Sequence, residues 1–187
     1  MEPLVARRAL LGAVLVSGVA AAAAEGAAAT AWDFAFPDID GGTLALGQFR
    51  GRVLLVTNTA SFCGYTYQYA GLEKLQRDLS PRGLTVVGVP SQDFDQESDS
   101  NGKVKAFCEA TFGVKFPMAG ISHVRGGDAA PFYAWVRGAR GGWEPQWNFN
   151  KVLIGRDGAI KGTYRSGVEP DSPALLQAVE AELAQTA

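Results

Sequence analysis

At 187 residues the chain has room for one domain of ordinary size. Its 17 basic and 19 acidic side chains leave a formal net charge of -2, and no basic run follows Arg8, so nothing supplies an electrostatic footprint for nucleic acid or anionic lipid. The uncharged run Ala9 to Ala24 is shorter than the roughly 20 residues that a bilayer-spanning helix needs, which argues against stable membrane insertion.

That run follows Arg7-Arg8 and precedes small residues, the layout of an export leader. Residues 1–31 are therefore expected to be a signal peptide, cleaved after Ala24 or before Trp32, with a domain over 32–187. Arg7-Arg8 suits a twin-arginine signal, though Ala9-Leu10-Leu11 matches that type loosely. The leader holds Glu2, Arg7, Arg8 and Glu25, two of each sign, so its loss leaves the net charge unchanged. The expected destination is an exported, periplasmic one, where disulfides form and persist.

Residues 43–49 read as a short strand and turn. Val53 to Thr59 is a continuous β-branched and apolar run, the pattern of a central strand covered on both faces. Cys63 stands just beyond it, and from Thr66 to Leu79 the apolar positions Tyr69, Leu72, Leu75 and Leu79 recur at helical spacing until Ser80-Pro81-Arg82-Gly83 breaks the pattern. Residues 84–89 form a second buried strand, closed by Pro90 and a polar loop from Ser91 to Gly102. A short helix over about 103–111 turns Val104, Phe107 and Cys108 to one face. Pro131 opens another helix. Lys151 to Ile154 and Ala159 to Tyr164 flank an Asp157-Gly158 turn, a hairpin signature, and Ser172-Pro173 opens a last helix with Leu176, Val179 and Leu183 on one side. The order predicts an α/β protein of thioredoxin-like fold, a central mixed sheet with helices on both faces.

Cys63, Cys108 and His123 are the soft ligands available, with no Cys-x-x-Cys or His-x-x-x-His spacing, so neither a structural zinc site nor any other metal or cofactor is expected. His123 has no nucleophile elbow around it and reads as a surface or strand-end histidine. Cys63, at a strand-to-helix junction, has the placement of a reactive thiol, because free backbone N–H groups and the helix dipole favour the thiolate. A buried junction cysteine that only packs is the alternative at this level.

Several blocks resemble the glutathione peroxidase family in the right order. Asn58-Thr59-Ala60-Ser61-Phe62-Cys63-Gly64-Tyr65-Thr66-Tyr67-Gln68-Tyr69 is similar to the family's peroxidatic segment N-V-A-S-x-C-G-x-T-x-Q-Y. Gly83 to Pro90 resembles its second strand, Phe107-Cys108 and Val114-Lys115-Phe116-Pro117 its F-C and V-x-F-P stretch, and Trp147-Asn148-Phe149-Asn150-Lys151 its W-N-F-x-K block. The resemblance runs from about Phe36 to the C-terminus. It implies a thiol peroxidase that reduces hydrogen peroxide and organic or lipid hydroperoxides, with Cys63 attacking the peroxide and Trp147 and Asn148 donating hydrogen bonds at the site. Cys108 matches the resolving cysteine, which implies a Cys63-Cys108 disulfide recycled by a thioredoxin-like donor or glutathione. Bonded cysteines need Cα atoms within roughly 7 Å, so the region from Ser91 to Thr111 is expected to shift on oxidation.

The loop after the second strand departs from the family's F-P-C-N-Q-F-G-x-Q-E. Aligned on Phe94, the glutamine position holds Asp93, and one residue is missing before Gln96-Glu97. A carboxylate beside Cys63 opposes thiolate formation, which leaves three readings: Asp93 as a neutral donor, the preferred one, Gln92 in its place, or Trp147 and Asn148 alone. No long insertion separates Val136 from Trp147, so a monomer or weak homodimer is expected. A redox relay using the same cysteines and a non-catalytic thioredoxin-like binding module are the competing functions.

Overall fold

The computed structural model describes Met1 and residues 28–185. The expected leader lies outside the described residues apart from Met1 and positions 28–31. Of these, Ala31 is buried and donates its N–H to Gly158 O at 2.9 Å, so the folded domain takes in residues just before the expected boundary at 32.

The chain runs β1 (Ala35–Pro37), β2 (Thr43–Ala45), β3 (Val53–Thr59), α1 (Gln68–Leu79), β4 (Leu84–Pro90), α2 (Asn101–Phe112), α3 (Pro131–Ala139), β5 (Lys151–Ile154), β6 (Ile160–Tyr164) and α4 (Pro173–Leu183). The main sheet has the order β4-β3-β5-β6. β4 lies parallel to β3, while β5 and β6 are antiparallel to their neighbours. A separate two-stranded hairpin, β1-β2, stands before it. This is the expected thioredoxin-like mixed sheet.

The period of two in β3 divides the interior. Val53 and Leu55 face one core with Leu72 and Leu75 of α1, Val104 and Cys108 of α2 and Val179 of α4; Leu54 and Val56 face the other, with Phe132 and Val136 of α3 and Phe36 and Leu44 of the hairpin. Every β3 residue is buried, which is why the run carries no polar alternation. Each buried leucine or valine contributes about 1.5–3 kcal/mol of transfer free energy, so the sheet is fixed from both sides.

Sheet direction then positions the loops. β3 and β4 run together to the paired ends Thr59 and Pro90, and antiparallel β5 enters beside them at Lys151, opposite Thr57. Three connections, residues 60–67, 91–100 and 146–150, therefore leave or reach the sheet at one edge. Among the described residues no helix is long and apolar enough to cross a membrane.

Lys151 is fully buried in β5, donating from Nζ to the Gln68 side chain and to Val168 O at 2.6 Å. Burial pushes its pKa down from 10.5 to about 8. The folded state gives up this proton near pH 8 and the unfolded state near 10.5, so between those values the unfolded chain binds more protons and stability rises with pH. Cys108 and the buried tyrosines act in the opposite direction at high pH, so the term is read as a difference. Denaturant unfolding of the protein and of Lys151→Met across pH 7–10.5 is expected to show the parent gaining on the order of 3 kcal/mol on the variant. A pH-independent difference would mean that the ammonium sits in a better-solvated place than its burial implies.

Candidate active site

Cys63 lies in the turn between β3 and α1, 8% exposed. Regular helix starts at Gln68 rather than at the expected Thr66, because the chain first makes successive i to i+3 bonds: Thr66 N to Cys63 O, Gln68 N to Tyr65 O, Tyr69 N to Thr66 O and Ala70 N to Tyr67 O. This lead-in aims the Tyr65 N–H at Cys63 Sγ, 3.4 Å away. Thr66 locks the turn by accepting the Cys63 N–H at 3.0 Å and donating its hydroxyl to Ala60 O at 2.9 Å. A sulfur that receives a backbone N–H is poised for negative charge.

The loop after β4 is stitched to this turn. Gln96 O accepts the Phe62 N–H at 3.0 Å, and Glu97 Oε1 accepts those of Ser61 at 3.2 Å and Ser98 at 2.7 Å. Burial raises the Glu97 pKa, against the bonds from Ser61 and Ser98. Gln92 folds its amide back into the loop, donating to the carbonyls of Glu97 and Ser98 and accepting the Glu97 N–H. It is a loop closure and does not reach the thiol.

The third segment carries Trp147 and Asn148. Asn58 Nδ2 and Asn150 Nδ2 both donate to Trp147 O, at 3.0 and 2.6 Å, and Asn58 Oδ1 accepts the Asn150 N–H at 2.9 Å. Ser166 Oγ donates to Asn148 O at 2.6 Å. Held this way, Phe149 takes φ +62°, a left-handed conformation that costs a non-glycine residue about 1–2 kcal/mol. Asn148 is fully buried; its Nδ2 donates to Gln96 Oε1 at 3.0 Å and its Oδ1 has no hydrogen-bond partner. Trp147 is 40% exposed and packs on Phe94, ring centroids 5.4 Å apart. It lines a hollow together with Tyr65, whose N–H faces Cys63.

Asn148 and Trp147 thus come to the turn that holds Cys63, and Gln96 joins them. Sequence reasoning misses Gln96 as a site residue; its visible signal is the match of Gln96-Glu97 to the family's Q-E pair. Asp93 goes elsewhere. Its Oδ1 is 2.6 Å from His123 Nδ1, and its Oδ2 accepts the N–H groups of Val124 at 2.6 Å and Arg125 at 3.2 Å. Both carboxyl oxygens are engaged by the 123–125 segment, so the expectation of Asp93 as a donor beside Cys63 does not fit its placement.

Cys108 is buried on α2 in the same apolar cluster as Cys63, and both are free thiols. Burial pushes the Cys108 pKa up to about 11, with the Tyr69 hydroxyl beside it pulling the other way. Phe107, its chain neighbour, packs against the exposed ring of Phe62, centroids 6.3 Å apart.

With this geometry in place, comparison with known proteins is direct. The glutathione peroxidase family model matches residues 31–137. The hydroperoxy fatty acid reductase of Synechocystis is 40% identical over 152 residues, covering 76% of this chain and 90% of that protein. The thioredoxin/glutathione peroxidase of Escherichia coli is 34% identical over 172 residues, covering 79% and 94%. The crystal structure of Trgpx in apo form superposes with a TM-score of 0.68 at 32% identity, covering 86% of this chain and 99% of that one. These matches make the protein a thiol-dependent hydroperoxide reductase, and the chain belongs to the glutathione peroxidase family.

Proposed function

We propose that Cys63 is the peroxide-reducing thiol, that Trp147 and Asn148 with Gln96 shape its site, and that Cys108 resolves the oxidised form for a thioredoxin-like donor or glutathione. The observation that carries the reading is the Tyr65 N–H on Cys63 Sγ, within a turn joined through Phe62 and Gln96 to the Asn148 amide.

In the first step the Cys63 thiolate attacks the terminal peroxide oxygen. The O–O bond breaks, the alkoxide or hydroxide leaves and takes up a proton as alcohol or water, and Cys63 becomes a sulfenic acid. The Trp147 indole N–H and the Asn148 amide are the donors suited to the charge that moves from sulfur to oxygen. In the second step Cys108 sulfur displaces the sulfenic hydroxyl, which leaves as water with the Cys108 proton. The donor's two thiols then reduce the disulfide.

A thiol with a pKa near 11 is almost wholly protonated at neutral pH. Resolution therefore calls for Cys108 to leave its apolar bed, which means breaking the Phe107–Phe62 contact and shifting α2. The name of the Escherichia coli relative pairs thioredoxin with glutathione, which supports keeping both donors for this chain. The leader pattern of residues 1–31 supports an exported, periplasmic setting for the cycle.

Stopped-flow oxidation and steady-state assays separate these roles. Cys63→Ser is expected to lose peroxide reduction, whereas Cys108→Ser should complete one fast turnover and then stall with thioredoxin. Full thioredoxin-dependent turnover in Cys108→Ser would remove the resolving assignment.

Trp147→Phe and Asn148→Ala each delete a donor and are expected to slow Cys63 oxidation by about 10²-fold. A loss confined to the reductive half of the cycle would assign these residues to donor docking instead.

A further inference from the structure

We propose that Asp93 is a positioning residue that holds the Trp147 indole in place, through Phe94 and through the segment His123–Arg125. The proposal rests on the reading of Trp147 as a donor to the Cys63 site.

Asp93 has a side chain only 9% exposed, and its three acceptor contacts all go to consecutive residues, His123, Val124 and Arg125. With its proton on Nδ1, the His123 ring donates to Asp93 Oδ1. Ser91 Oγ accepts the Asp93 N–H at 3.2 Å and fixes the start of the loop. The carboxylate therefore pins a remote segment to the loop after β4, next to the residue on which Trp147 rests.

Two routes lead from that segment to Trp147. In one, the Arg125 guanidinium lies over the Phe94 ring, 5.4 Å from its centroid, and Phe94 packs on the indole. In the other, Arg125 pairs with Glu144 at 3.7 Å, and Glu144 Oε2 accepts the Gly126 N–H at 3.1 Å. Glu144 lies three residues before Trp147 and also pairs with Arg137 of α3 at 3.6 Å. An indole that is 40% exposed is not held by burial, so its orientation depends on such neighbours. A donor misplaced by about 1 Å can lose about 10²-fold in rate.

His123 adds a dependence on pH. Its ring is 64% exposed, and its pKa is raised from 6.5 by the bond to Asp93 first and then by the Asp93 charge, with a smaller contribution from Asp128. The other groups at the clamp are Arg125, with Glu144 behind it, and the buried Tyr133 of α3, whose own pKa rises through burial and then through Asp93. Below its raised pKa, His123 is an imidazolium and the contact is charge-assisted; the added hold is lost as pH rises through that value. Exposure keeps this term small.

The test is the rate of Cys63 oxidation by peroxide, read by stopped flow in single variants and in a double-mutant cycle. Asp93→Ala is expected to slow oxidation about tenfold, and Asp93→Asn, which keeps an acceptor for the backbone N–H groups, to slow it less. In a Trp147→Phe background the Asp93 substitutions should cost nothing further. His123→Ala, at an exposed position that does not endanger folding, should slow oxidation about twofold to fivefold at pH 6 and leave it unchanged at pH 8.5. Wild-type rates in both Asp93 variants, or an undiminished loss in the Trp147→Phe background, would overturn the proposal. A silent Trp147→Phe beside a slow Asp93→Ala would instead remove the role of Trp147, and this proposal with it.

Discussion

The Asn58 side chain is the constraint from which the site follows. It is the penultimate residue of β3, just ahead of the turn that holds Cys63, and reaches across to the chain entering β5, where it takes the Asn150 N–H and donates to Trp147 O. The backbones on either side close the same clamp, with Asn58 N on Asn150 O and Phe149 N on Asn58 O. A net value of about 0.5–1.5 kcal/mol for each such bond together exceeds the roughly 1–2 kcal/mol of the left-handed Phe149. The turn is therefore stable in a conformation that Phe149 alone would not adopt, and that conformation sets Asn148 against Gln96.

Strand direction makes the same clamp productive. Because β4 is parallel to β3 and β5 antiparallel, the end of β3, the end of β4 and the beginning of β5 coincide. The first supplies a turn that presents sulfur to a backbone N–H, the second a loop that bonds to that turn through Gln96 and Glu97, and the third a strained corner that delivers Trp147 and Asn148. The surroundings of the two cysteines then differ. Cys63, 8% exposed, receives an N–H donor, while Cys108, fully buried in the same apolar cluster, has its thiolate suppressed by desolvation. In the proposed cycle the two meet only if α2 gives up part of its packing, and that movement separates the peroxide step from the donor step.

The sheet strands and main helices were legible because their patterns are strong. Continuous β-branched runs gave β3 and β4, and the Asp-Gly turn gave the β5-β6 hairpin. β1 was not, since three residues carry no periodicity and its partner strand is equally short. Lys151 reads simply as the first residue of a strand, and only the tertiary arrangement reveals that it is buried with Gln68 and Val168 O in place of water. The loop after β4 misled for a related reason. Its path is set by Gln92 bonding back to Glu97 and by Asp95 at φ +55°, and neither is visible in the order of residue types. Aligning on Phe94 put Asp93 at the family's glutamine position, whereas in the structure it is Gln96 that contacts Asn148.

The corrected position of Asp93 also resolves an electrostatic conflict. A carboxylate about 6 Å from a forming thiolate, at an effective dielectric constant near 20, would oppose it by about 3 kcal/mol. The thiolate attack proposed for Cys63 would not tolerate that well. Two responses are physically available: neutralise the carboxyl, which requires a costly proton, or satisfy the charge elsewhere. Asp93 takes the second course, because two backbone N–H groups and His123 draw its charge toward the 123–125 segment. The neutral Gln96 amide is then left facing Asn148, and the carboxyl that does stand at the Cys63 turn, Glu97, is one whose pKa burial raises.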